Sequence, residues 1–163
     1  MKLQRLALLL AALWWGGLAG ISFVAVPTLF ASLGSPATAG PVAARLFSLQ
    51  CWGGLVLGLA LLLILRHQRG AAQGGGSPEG ALLTPEAVRA MQAILGTMGF
   101  VLLAMLLAMV QEFGVAQKIV NARASGGDLR LWHGLGSLMV LGQWLCAGAV
   151  LWRLAPGGRL KND

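Results

Sequence analysis

Formal charge is scarce in this chain: 10% of its 163 residues are Asp, Glu, Lys or Arg, while 57% are hydrophobic. A soluble domain carries roughly a quarter charged residues, so that class is excluded. The scarcity is also patterned. Arg5 is followed by no formal charge until Arg45, Arg45 by none until Arg66, Arg89 by none until Glu112, and Arg130 by none until Arg153. A hydrocarbon core about 30 Å thick needs roughly 20 helical residues at about 1.5 Å each, and all four intervals meet that. The sequence predicts an all-α protein, an integral membrane four-helix bundle spanning 1–163 as one domain, with the lipid bilayer as its first partner.

Other shortages exclude chemistry. There are two histidines, and they fall at opposite ends of the helices, His67 inside and His133 outside, so a bis-histidine haem across the bundle is ruled out. The two cysteines, Cys51 and Cys146, are separated along the bundle axis by roughly 10 Å at 1.5 Å per residue, beyond the reach of a disulfide. HExxH, a serine with a base in register, and a glycine-rich phosphate loop are all missing. No catalytic constellation remains, the protein is expected not to be an enzyme, and no cofactor is called for. A formal charge of +7 could suggest nucleic acid, but the basic residues stand singly at the ends of apolar runs, without the aromatic-laced stripe such binding requires. They read as anchors to lipid headgroups.

Those anchors set the topology. Lys2, Arg5, Arg66, Arg69, Arg89, Arg153, Arg159 and Lys161 lie on one side, eight of the 12 basic residues; Arg45, Lys118, Arg123 and Arg130 lie on the other. The positive-inside rule places the N and C termini in the cytoplasm of a multi-pass protein of the inner (plasma) membrane. Apolar sequence from Leu3 runs on to Phe30, longer than the h-region of a signal peptide, so a retained first helix is expected over about 3–30, kinked or ended by Pro27. A second helix is expected over about 41–66, after an outer loop or short helix across 31–40. A glycine-rich cytoplasmic linker follows over 67–84. Thr84, Pro85 and Glu86 form a helix start for a third helix over 85–111, with an amphipathic outer extension to about 124. Asp128 caps a fourth, over 129–154.

Two rows of small residues, Gly16 with Gly20 and Gly54 with Gly58, have the spacing that lets helices approach closely in lipid. They fit packing between the first two helices, or an interface with another copy or a larger membrane complex. Met91, Met98 and Met105, with Met109 one turn on, mark a face of the third helix suited to adaptable packing.

Polar residues within the spans gather in the outer third: Ser22 beside Pro27 on the first helix, Arg45 and Ser48 on the second, Gln111 and Glu112 on the third, and Arg130, His133 and Ser137 on the fourth, of which Arg45, Ser48, Glu112, Arg130, His133 and Ser137 are the candidates for a pocket. Intramembrane polar groups face the bundle interior or a cavity. The set predicts either an outward-facing polar pocket, with Glu112 facing Arg45 or Arg130, or a network tying helix ends at the headgroups. The inner half offers little beyond Thr97, Gln143 and Cys146. His133, Cys51, Met105 and Met109 are the residues from which a soft-metal site could be assembled.

Three motifs in order carry a family resemblance. Trp15-Gly16-Gly17 with the run Phe23 to Phe30, then Ala44-Arg45-Leu46-Phe47, then Trp132 to Ser137, resemble the family of small membrane proteins that includes transmembrane protein 205, distantly similar to copper-resistance protein D. The resemblance implies a four-helix membrane bundle, a link to metal or drug tolerance through the eukaryotic member, and attention to Pro27, Arg45 and His133. Trp132 and Gly136 stand where leucine and serine are usual. Two functions follow as expectations: a protein that binds or moves a small solute or metal ion, or supports stress tolerance, through the outer polar pocket; or a structural or assembly subunit of a larger membrane complex.

Overall fold

The computed structural model describes residues 2–74 and 84–156. Among them the chain forms α1 (Lys2–Ala19), α2 (Val26–Leu33), α3 (Pro36–Gly74), α4 (Pro85–Val110), α5 (Ala116–Ser125) and α6 (Leu129–Leu154), with no strand. A π-helical turn joins α1 to α2 over Gly20–Ala25, and a second joins α4 to α5 over Gln111–Val115. Four helical stretches are long and apolar enough to cross a membrane: Lys2–Leu33, Pro36–Ala71, Pro85–Ile119 and Leu129–Leu154. The chain is a multi-pass membrane protein built as an all-α four-helix bundle. We call its two faces outer and inner after the charge distribution.

Local chemistry explains most boundaries. Pro27 does not end the first span. Proline lacks the donor for the carbonyl four residues back and crowds it, and the π turn ahead of Pro27 takes up that misfit, with the Val26 N–H donating to the Ile21 carbonyl. The span continues to Leu33, and Gly34 stops it in the left-handed conformation at φ 62°, which glycine adopts without a Cβ clash. The second span begins earlier than expected: Ser35 Oγ accepts from the Ala37 N–H at 3.2 Å, Pro36 takes a first-turn position, and Pro41 is carried inside the helix. Of the linker expected over 67–84, residues up to Gly74 are helical and 75–83 lie outside the described residues. The Thr84 and Asp128 caps form as the sequence predicts, to Ala87 at 3.3 Å and Leu131 at 3.0 Å.

The spans pack in a ring, the first against the second and fourth, and the third against the second and fourth. Ala7, Ala11, Trp14 and Leu18 form the buried stripe of α1, meeting Leu61 and Leu65 of α3, Val101 and Ala104 of α4, and Ala147 and Val150 of α6. Small side chains recur in this stripe because helices in lipid associate by close packing, with no hydrophobic drive to bring them together. The outward surface is equally apolar: Leu9, Leu49, Val56, Leu138 and Trp152 are each more than 60% exposed, as contact with lipid tails demands.

The two glycine rows behave differently. Gly54 and Gly58 receive α1 and α4: a Cβ on Gly54 would stand 3.0 Å from Trp14 Nε1, and one on Gly58 would stand 2.7 Å from Met105 Sδ. Gly16 and Gly20 are exposed, with nothing within 4 Å of their Cβ positions. Close packing of α1 on α3 therefore uses Trp14 against Gly54, not glycine against glycine.

The inner half is not polar-poor, contrary to the expectation. Gln4 Nε2 donates to the Leu154 carbonyl at 3.0 Å, and Gln68 Nε2 donates to Gln4 Oε1 at 3.1 Å. Arg153 Nε donates to Thr97 Oγ1 at 3.2 Å, and its guanidinium lies 5.7 Å from the Phe100 ring centroid. Arg153 ends the fourth span, yet its side chain reaches back along the third.

Candidate functional site

A layer of side-chain hydrogen bonds joins the spans in chain order, reaching from the outer half to mid-span and taking in Gln143, which by sequence falls in the inner half. Ser22 Oγ in the first π turn donates to Gln50 Oε1 of α3 at 3.2 Å. Ser48 Oγ of α3 donates to Glu112 Oε1 in the second π turn at 2.7 Å. Gln143 Nε2 of α6 donates to Gln111 Oε1, also in the second π turn, at 2.7 Å. Cys51 Sγ closes the layer by donating to the Ala108 carbonyl at 3.5 Å. Gln50 and Gln143 are both more than 90% buried. Within hydrocarbon the coupling across such a bond averages about 0.6 kcal/mol, and removing one partner alone costs more because the other is left buried and unpaired.

Both π turns sit in this layer. A π turn carries an extra residue and recurs at functional sites. In the second, the Ala116 N–H donates to the Gln111 carbonyl, and the consecutive residues Gln111 and Glu112 reach the fourth and second spans respectively. The first supplies Ser22. Among the described residues, both π turns thus lie where polar side chains cross between spans.

Of the six residues expected to form an outer pocket, Ser48 and Glu112 meet. Arg45, Arg130 and His133 are exposed, and among the described residues Glu112 pairs with neither arginine; its partner is Ser48. The arginines start helices at the headgroup level, where long basic side chains extend toward water. Ser137 directs its hydroxyl at its own helix, donating to the His133 carbonyl at 3.0 Å. The layer is completed by uncharged residues: Ser22 and Gln111, which by sequence fall at the same depth as the candidates, Gln143, which falls in the inner half, and Gln50, which the sequence does not single out. Their signal in the sequence is an amide or hydroxyl inside an apolar run, but which helix each would reach depends on register.

The soft-metal candidates sit in different surroundings. Met105 lies over Gly58, Met109 is 45% exposed, Cys51 is bonded to a main-chain carbonyl, and His133 is exposed. Among the described residues no three His, Cys, Asp or Glu side chains gather. Cys51 and Cys146 are both buried and free.

No curated protein and no solved structure matches the chain, so the resemblance to transmembrane protein 205 and copper-resistance protein D rests on its motifs alone. The model of a domain of unknown function, DUF4149, matches residues 9–128. That stretch holds the first span from residue 9 on, the second and third spans and both π turns, and with them Ser22, Ser48, Gln50, Gln111 and Glu112. Since it covers most of the sequence, this membrane protein belongs to the DUF4149 family, whose function is unknown.

Proposed function

We propose that this is a non-enzymatic protein of the inner (plasma) membrane that binds, and helps to move, a small cationic or hydrogen-bond-donating solute at Glu112, entered from the outer face. One observation carries the reading. Glu86 and Asp128 sit at helix starts, whereas Glu112 lies within a span, on a π turn, with a single side-chain partner in Ser48. An ionisable group at such a place is costly to keep in lipid and marks solute and proton paths. A carboxylate offers about four acceptor sites, so one serine hydroxyl leaves capacity for an ammonium or amide donor. With no cluster of metal-ligating side chains among the described residues, an organic cation fits better than a metal ion.

The test is the thermal midpoint of the detergent-solubilised chain against a panel of small amines, amides and metal ions. A ligand present at 100 times its Kd stabilises by about 2.7 kcal/mol, and Glu112→Gln should abolish that shift. A panel without effect, or one whose shifts survive Glu112→Gln, would end the proposal.

The second reading is an assembly subunit, and the exposed glycines of α1 favour it. Gly16, Gly17 and Gly20 have open space at their Cβ positions, a surface against which another helix could pack closely. Under that reading Gly16→Leu releases a defined partner in a mild-detergent pull-down while Glu112→Gln retains it. Recovery of the isolated chain alone across several detergents counts against it.

A further inference from the structure

Arg153 is held where an arginine at a helix end would not ordinarily stay. Long basic side chains at span ends extend toward water, yet this one lies back on α4 and is fixed at three points. Its Nε donates to Thr97 Oγ1 at 3.2 Å, its Nη2 donates to the Ala93 carbonyl at 3.5 Å, and its Cζ stands 5.7 Å from the Phe100 ring centroid. Gly96 makes room for it: a Cβ there would lie 2.9 Å from Nη2 and 3.6 Å from Cζ. The two hydrogen bonds occupy two of the five N–H donors of a guanidinium. Both donors on Nη1 are without an acceptor among the described residues, and the side chain is exposed. A planar donor fork held still on an exposed surface is pre-organised for an anion, because little side-chain freedom is left to lose on binding.

Contacts between spans fix the depth. The carbonyl of Leu154, next along the helix, accepts from Gln4, and Gln4 accepts from Gln68, so Arg153 stands level with the inner ends of α1 and α3. Arg5, Arg66 and His67 flank Gln4 and Gln68 in the sequence and are exposed. This is where the uncharged runs end, at the inner headgroups. A second cation shares the face. Arg89, Ala93, Gly96 and Phe100 follow one another at helical spacing, which puts them on one side of α4. Arg89 is exposed and pairs with no described residue, Glu86 included. Toward mid-span from Gly96 the same side is apolar and open: Leu103 is 46% exposed, and Trp152, beside Arg153 on α6, is 70% exposed. A free anion has no use for such a surface, whereas a phospholipid lays its tails on it.

We propose that Arg153 and Arg89 bind the phosphodiester of one anionic phospholipid in the leaflet at the inner face, with Nη1 of Arg153 donating to its oxygens and the tails lying over Leu103 and Trp152. Arg89 sets the charge preference: it attracts a headgroup of net negative charge and repels the ammonium of a zwitterionic one. Glu112 lies beyond the far end of α4, so this site and the solute site proposed there stand or fall separately.

The full chain, delipidated in mild detergent and titrated with dioleoyl phosphatidylglycerol or dioleoyl phosphatidylcholine, can be followed by native mass spectrometry. One phosphatidylglycerol per chain should bind about tenfold more tightly than phosphatidylcholine, the worth of one charge-assisted hydrogen bond. Arg153→Gln should erase most of that preference. Gly96→Ala should do the same with every charge still in place, because the added methyl lifts the guanidinium from its seat. Arg89→Gln should lower the preference about fivefold, whereas Arg66→Gln, which removes another inner basic residue, should leave it within about twofold, the spread of independent sites. Equal affinity of the wild type for the two lipids overturns the proposal, as does a preference that survives Arg153→Gln. An equal loss in Arg66→Gln and Arg89→Gln also overturns it, since the arginines would then act only through the general charge of the inner face. Displacement of the lipid by millimolar inorganic phosphate would mark a site for a free anion instead.

Discussion

Gly58→Ala probes the closest approach in the bundle. A Cβ at position 58 would lie 2.7 Å from Met105 Sδ, 2.8 Å from Met105 Cγ and 3.4 Å from Trp14 Cη2. Carbon contacts settle at about 3.5–4.0 Å, so the thioether must withdraw by about 1 Å while the indole gives slightly. Overpacking of this kind costs about 1–3 kcal/mol; an unbranched methionine can re-pack, which places the cost near 1.5. Replacing helical glycine by alanine returns up to about 1 kcal/mol, leaving a net loss of about 0.5–1 kcal/mol. Met105→Ala alone should cost about 2 kcal/mol, the lower end for a methionine truncation, because the side chain is only partly buried. In that background the obstructing atoms are gone, and Gly58→Ala should become stabilising by about 0.5–1 kcal/mol. The double-mutant cycle thus predicts a coupling of about 1.5 kcal/mol, well above the scatter of independent sites. Unfolding by SDS from mixed micelles, followed by tryptophan fluorescence, reads all four corners. Gly16→Ala, with open space at its Cβ position, should cost nothing. An equal effect of Gly58→Ala in both backgrounds, or a loss in Gly16→Ala as large as in Gly58→Ala, would refute the packing argument.

Other contacts offer further tests by the same unfolding measurement. Gln143→Leu leaves the Gln111 amide without its partner and should cost about 1–3 kcal/mol, whereas Gln111→Leu with Gln143→Leu should approach the wild type, because both halves of the pair are then apolar. Ser48→Ala should cost about 1–2 kcal/mol by stripping Glu112 of its donor, and Ser48→Thr, which keeps a hydroxyl, should recover most of it. Arg153→Ala loses both the bond to Thr97 and the Phe100 contact and should cost about 1 kcal/mol; Arg153→Lys should recover only part, since an ammonium cannot reproduce the planar fork.

The four spans were legible because crossing a bilayer is a constraint on length and charge, and the uncharged runs between Arg5 and Arg45, Arg45 and Arg66, Arg89 and Glu112, and Arg130 and Arg153 form the apolar part of each, although the second and third helices run on past Arg45 and Glu112. The caps at Thr84 and Asp128 were legible because a helix start is local chemistry over a few residues. The rotation of each helix was not. Ala7 and Ala11 face the core while Gly16 and Gly20 face outward, yet both pairs have the same spacing of small residues. Lipid is as apolar as the interior, so hydrophobicity does not separate the two faces as it does in water.

The same degeneracy explains why charge was a poor guide to which polar side chains meet inside the bundle. Charges attracted the reading toward Arg45, Arg130 and His133, but a charge near a helix end can meet water and has no need of a partner inside the bundle. An amide in mid-span lacks that escape. Gln50 and Gln143, both deeply buried, are therefore the residues whose hydrogen bonds the fold must supply, and it supplies them through the π turns that carry Ser22 and Gln111. Glu112 combines both features: it is a charge within a span, and it is fixed on the same turn as Gln111. Its position is set by the Gln111 to Gln143 contact with the fourth span and the Ser48 contact with the second. A solute that took the place of Ser48 at Glu112 would consequently act on the contact between the second and third spans while the third and fourth stayed joined.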